Sequence, residues 1–202
     1  MIFKPFMREG FIPLPVAFIS TISETGVRNI APYSCVMPVL RPLDLICIAT
    51  AKKRDTLNNI RETNEFVLNL PGVAFADKVI PTAQFTKPEI DEFQLANLEE
   101  KPSQIVKAPG IAGCYSWMEC RLEKEYEEEN YILIMGKVLR LEVDDAVVGS
   151  DGSLDTAKAE PLMMTGSKTG MHFCTVRSID RFEPFSAMFP KGKDALGGKY
   201  KQ

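Results

Sequence analysis

The stretch PVAFISTISETGVRNIAPYS, Pro15 to Ser34, decides how the chain is read. PVAFIST is a short apolar run rich in β-branched and aromatic residues, the composition of a buried strand. SETG is a turn signal in which Gly26 can take positive φ. VRNIAPYS resumes an extended pattern, and Pro32 forces Ala31 out of helical space. Together they predict a hairpin over Pro15–Thr21 and Val27–Val36 whose second strand lacks a donor at Pro32. Asn29, Ala31, Pro32 and Ser34 then present small and polar groups, with unpaired backbone N–H groups, to a planar hydrogen-bonding ligand. On these residues alone an ordinary edge hairpin remains the plainer alternative.

The next stretch adds charge. Asp44–Thr50, DLICIAT, is a continuous apolar run that predicts a strand buried on both faces or closing a barrel. The loop AKKRD, Ala51–Asp55, leads into helical spacing over Thr56–Glu62, with Asp55 as the expected N-cap. A basic loop entering a helix N-terminus is an anion site in physical terms: exposed N–H groups and the helix dipole favour a phosphate. Lys52, Lys53 and Arg54 supply charge there and Thr56 a hydroxyl; a solvated surface turn is the competing reading.

Farther out, EFVLNL, Glu65–Leu70, alternates as a strand, and VAFADKVI is a short helix candidate. Residues 82–109 form a polar, proline-bounded excursion anchored by Phe93, Leu95 and Leu98, long enough to be a functional loop. Ile111–Glu125 and Tyr131–Asp144 predict a long hairpin with an acidic tip, in which Gly136 marks a bulge or a close backbone approach. Residues 1–14 read as an irregular arm or short edge strand, Met37–Pro42 as a connector, and the basic tail from Phe185 as a mobile end or dimer arm.

With 202 residues, 45% of them hydrophobic and 25% charged, the chain is expected to form one globular domain over residues 1–202. A net charge of −3 without a basic stripe argues against nucleic-acid binding. No apolar run reaches membrane-span length and the start carries no secretory signal, so a cytoplasmic location is expected. Cys35, Cys47, Cys114, Cys120 and Cys174 are scattered without a CxxC pair and read as buried thiols in apolar strand-like segments. His172 is the lone histidine, and neither a metal site, a GxGxxG motif nor a Walker loop is present.

Pro15-Val-Ala-Phe-Ile-Ser-Thr21, Gly26 and Asn29-Ile-Ala-Pro-Tyr-Ser34 resemble the signature of the flavin-reductase-like FMN-binding split-barrel family, the flavoredoxin type included. Arg54-Asp55-Thr56-Leu-x-Asn-Ile60 leading to Glu65-Phe-Val-x-Asn69 is a second such block, and Pro161-Leu162 with Gly166 a third; the resemblance spans about residues 10–185. It implies a mainly β fold, a split β-barrel with peripheral helices, and a homodimer binding FMN near the subunit interface. It also implies roles. Thr21, Asn29, Ile30, Ala31, Pro32 and Ser34 would meet the ring and ribityl chain; Thr50, Ala51, Lys53, Arg54, Asp55 and Thr56 would hold the phosphate; Lys168 would approach the flavin. Near Lys168 the aromatic frequent in that family is missing. The implied activity is electron transfer between NADH, NADPH or a protein partner and flavin, for delivery to free flavin or an oxygenase. A flavin-binding electron carrier and a pyridoxamine-phosphate-oxidase-like protein are the alternatives. No residue is assigned as a catalytic acid or base.

Overall fold

A computed structural model describes residues 2, 4, 13–40, 43–167 and 170–179. The expectations for the tail from residue 185 and for Lys168 fall outside these residues. β1 (Leu14–Pro15) precedes the expected hairpin, which forms from β2 (Ala17–Ile22) and β3 (Arg28–Tyr33). Its turn closes through Gly26 N–H to Ser23 O (3.0 Å) and Val27 N–H to Ser23 Oγ (3.0 Å), with Gly26 at φ +87°.

β3 stops at Tyr33, short of the expected Val36; Val36–Pro38 is β4, paired with β5 (Leu45–Thr50), and it runs into the stretch from Met37 expected as a plain connector. α1 (Asp55–Thr63) follows, then β6 (Glu65–Leu70), α2 (Val79–Ala83), α3 (Glu92–Leu95), β7 (Glu100–Lys101) and β8 (Gly110–Ile111). The long hairpin is β9 (Ser116–Glu127) with β10 (Ile132–Val143); α4 (Thr156–Ala159), β11 (Met163–Ser167) and β12 (Gly170–Cys174) complete the described elements. Seven strands form one antiparallel sheet in the order β3-β2-β6-β9-β10-β5-β4.

Two apolar clusters lie on opposite faces of this sheet. Ala17, Ile19, Phe66 and Leu68 pack with Ile46, Ile48, Ile132, Ile134 and the buried side of α1, Leu57 and Ile60. Phe18, Ile30 and Val67 pack with Phe93, Val106, Ile111 and Trp117. β2 and β6 are therefore covered on both faces, which corrects the alternation read in EFVLNL: Phe66, Val67, Leu68 and Asn69 are all buried. β5 alternates instead, its outer residues Leu45, Cys47 and Ala49 only half-buried, because the segments that cover the outer face stop short of it. This corrects one of the two readings of DLICIAT, burial on both faces.

The 102–111 segment is tied down by buried polar groups. The N–H groups of Gln104, Ile105 and Val106 donate to the carboxylate of Glu119 (3.0, 2.6 and 3.1 Å), which is 3% exposed. Lys107 N–H donates to Glu65, and the buried Asn69 amide accepts from Ile111 N–H and donates to Phe18 O. The Glu119 and Asn69 side chains, both buried, thereby find partners that burial would otherwise deny them.

The β9–β10 register shifts between Met135 and Gly136, and a Cβ on Gly136 would collide with the Phe66 ring. Both roles expected of this glycine are thus present. Gly136→Ala is expected to lower unfolding free energy by about 1–3 kcal/mol. Combined with Phe66→Leu, it should cost less than the sum of the two single changes in denaturant titrations; full additivity would contradict the contact.

A cavity at the edge of the sheet

The C-terminal half of β3, the end of β5 with its basic loop, the start of α1 and residues 82–86 enclose a cavity of about 620 Å³, within the range of about 300–1,000 Å³ usual for small-molecule sites. Asn29, Ala31, Pro32, Ser34, Thr50, Ala51, Lys53, Arg54, Asp55 and Thr56 all line it. Two other candidates do not. Thr21 is fully buried behind the wall, where its hydroxyl accepts from Asn59 Nδ2 (3.0 Å). Ile30 is fully buried in the outer apolar cluster, and its N–H is already given to Glu92 Oε2 (2.7 Å).

That bond fixes which edge of β3 faces outward. Antiparallel backbone groups alternate in direction, so with Ile30 N–H turned away from β2, the Pro32 nitrogen lies on the same outer side. Proline therefore removes no bond of the β2–β3 ladder. Of the outward N–H groups expected for a ligand, one is absent at Pro32 and another is engaged by Glu92.

α1 opens differently from the expected capped helix. Asp55 is its first residue, and Arg54, at the N-cap position, makes no side-chain cap. The first amide bonded inside the helix is Asn58 N–H, to Arg54 O (3.1 Å). In contrast, Asp91 and Asp155 cap α3 and α4. The first-turn donors of α1 and its dipole thus meet the cavity beside Lys53 and Arg54. The Arg54 guanidinium lies 4.2 Å above the Phe85 ring; stacking by its face leaves its in-plane N–H donors available. Lys52 pairs with Glu127 (2.9 Å). Tyr33 Oη and Thr50 Oγ1 share a hydrogen bond of 3.0 Å on the opposite wall.

Sequence reading missed Glu92 and Phe85, which the 82–95 segment carries back to the cavity. Glu92 is 5% exposed and accepts from Ile30 N–H, Thr86 Oγ1 (2.8 Å) and the Asn29 amide (3.1 Å in the orientation that satisfies both of its ends). Asn29 then accepts from Thr56 Oγ1 (3.2 Å). Burial raises the Glu92 pKa, partly opposed by the Ile30 and Thr86 hydrogen bonds and reinforced by Asp55 and Asp91. The cysteines are less uniform than expected. Cys35 is exposed at the cavity wall, Cys47 and Cys174 are half-buried, and Cys114 precedes β9. Burial pushes the Cys114 and Cys120 thiols up, away from the reactive thiolate.

Residues 7–170 match the sequence model of the flavin reductase like domain. An uncharacterised protein of Methanothermobacter thermautotrophicus is 60% identical over 207 residues, spanning 100% of this chain and 98% of that protein. Nitrilotriacetate monooxygenase component B from Bacillus cereus superposes with a TM-score of 0.77 at 25% identity, over 85% of this chain and 88% of its own. Flavoredoxin of Desulfovibrio vulgaris (Miyazaki F) gives 0.80 at 20% identity, over 93% and 99%. The curled seven-stranded sheet is accordingly a split barrel with peripheral helices.

The raised Glu92 pKa has a consequence for stability. A folded-state value above the unfolded one means stability present below the unfolded pKa, near 4.3 for an ordinary glutamate, and lost as pH rises through the folded value. The unfolding free energy of wild type should fall relative to Glu92→Gln across that window; parallel pH profiles of the two proteins would contradict the assigned burial.

Proposed function

The chain belongs to the flavin reductase-like family, and we propose that it is an FMN-binding oxidoreductase that passes electrons from NADH or NADPH through flavin to a free flavin, an oxygenase or another protein partner. The observation that carries this reading is the uncapped start of α1, set on a cavity beside Lys53 and Arg54. That combination suits one terminal phosphate. The first-turn N–H groups, Lys53 and Arg54 would hold the phosphate, while Ala31, Pro32 and Ser34 would line the ring and ribityl chain. A single compact anion site favours FMN over FAD. The bound flavin supplies the redox chemistry, and the chain supplies binding, orientation and charge.

The donor set fits the group. Asn29, Thr50 and Thr56 are polar and buried, while small side chains on the β3 wall leave room for a flat ring. The Thr56 hydroxyl proton points at Asn29, so Thr56 would meet a phosphate with its backbone N–H. Exposed Met37, Leu40 and Leu43 at the β4 edge support a homodimer, in which a second copy would cover them.

The test is the absorption spectrum of the purified protein and anaerobic mixing with NADH or NADPH. We expect flavin bands, FMN released on denaturation, and rapid bleaching by one of the two nucleotides. A flavin that neither nucleotide bleaches would assign the protein to the electron carriers, and no affinity for FMN would remove the flavin reading altogether. Arg54→Ala should weaken FMN binding by about one to two decades, the loss of one charge-assisted hydrogen bond of roughly 1.5–3 kcal/mol. A folded variant with wild-type affinity would put the phosphate elsewhere.

A further inference from the structure

We propose that Glu92 is a positioning residue for the anion-binding turn: from across the cavity it fixes the amide of Asn29 and, through it, the hydroxyl of Thr56. The inference rests on the flavin-phosphate reading above and names a residue outside the basic loop on which that reading stands.

The chemistry of donors and acceptors forces the arrangement. An ionised carboxylate only accepts, and Glu92 faces three donors: Ile30 N–H at 2.7 Å, Thr86 Oγ1 at 2.8 Å and the Asn29 amide at 3.1 Å. Asn29 must therefore turn its NH₂ toward Glu92, which turns its carbonyl toward Thr56 Oγ1 at 3.2 Å. A carbonyl cannot donate, so the Thr56 hydroxyl gives its proton to Asn29. The relay Thr86–Glu92–Asn29–Thr56 thus runs from the 82–95 segment to the first turn of α1. Asn29, Thr56 and Glu92 are 7%, 3% and 5% exposed, so water does not readily substitute for a lost partner. A Thr56 side chain tied to Asn29 holds one rotamer. Untied, it samples the floor on which the anion would sit, and binding must then order it again.

The docking of α3 does not depend on this carboxylate. α3 is independently fastened to β3, because Asp91 receives Arg28 Nε (2.9 Å) and Nη2 (2.6 Å) while Phe93 is buried in the outer cluster. Among the described residues no cation pairs with Glu92, and the charges acting on it, Asp55 and Asp91, share its sign. The side chain is thus held by hydrogen bonds aimed at the cavity wall, against electrostatic cost.

The experiment is a double-mutant cycle read by FMN titration, with thermal unfolding as the folding check. Glu92→Ala removes the acceptor for the Asn29 amide, while Ile30 N–H keeps the Asn29 carbonyl at 3.0 Å, and is expected to weaken FMN binding about tenfold. Glu92→Gln keeps an oxygen there, since the Thr86 hydroxyl can turn to accept from the new amide; it should bind at least as tightly as wild type. In a Thr56→Val background, Glu92→Ala should produce no further loss. Glu92→Leu serves in place of Glu92→Ala if the alanine variant does not fold. Wild-type affinity in folded Glu92→Ala, or a loss that adds in full to that of Thr56→Val, overturns the inference while leaving the flavin reading intact. Wild-type protein with no affinity for FMN overturns both.

Discussion

An edge strand has to dispose of its outward N–H and C=O groups, and the way β3 does so shapes the rest of this molecule. Left open, such an edge templates another strand. Here Pro32 contributes no outward donor and Ile30 N–H is taken by Glu92. The edge can therefore border a cavity without inviting strand addition. Glu92 can reach Ile30 only because the chain returns over the sheet after α2, and that return is fastened by Asp91 on Arg28 and by Phe93 in the outer core. The wall of the cavity, its far side and the outer apolar cluster are consequences of one strand being left last in the sheet.

The protein meets converging backbone donors in two ways. Most backbone donors that converge on an anion find one of the chain's own: Glu119 fills the turn at Gln104–Val106, Asp91 caps α3 and Asp155 caps α4. α1, at nine residues the longest described helix, opens on the cavity without a side-chain cap. Its N-cap position holds Arg54, a cation, where Ser, Thr, Asp or Asn would stabilise the helix by about 1 kcal/mol. Asp55 in the first turn offsets part of the helix dipole, but no side chain caps the first-turn donors, and this is why this terminus, and not the others, carries the functional reading.

Much of this was legible in the residues and some could not be. Periodicity located the β2–β3 hairpin, α1, β6 and the β9–β10 hairpin, because each is a local pattern of burial. The basic loop was legible because charge, helix start and strand end are contiguous in sequence. Glu92 and Phe85 were not: each reaches the cavity through a long-range return, and nothing in TAQFTKPEIDEF says which strand that segment will meet. DLICIAT misled because an unbroken apolar run reports hydrophobic content, whereas burial on the second face depends on whether another segment covers it. Cys35 looked like its buried counterparts for the same reason.

Thr21 shows the limit of reading one strand at a time. It is the register partner of Asn29, so their side chains share a face of the hairpin. Both hydrogen-bond to α1, Thr21 to Asn59 and Asn29 to Thr56. Thr56 and Asn59 are three residues apart, one turn along the same side of the helix. Two polar rungs, all four residues buried, therefore join the helix to the hairpin. Apolar packing of Leu57 and Ile60 tolerates some rotation of α1 about its axis; hydrogen bonds of 3.0 and 3.2 Å do not. Thr21 is thus absent from the cavity wall and still governs it: with Asn59 it sets the roll of the helix, and that roll aims the uncapped first turn at the cavity.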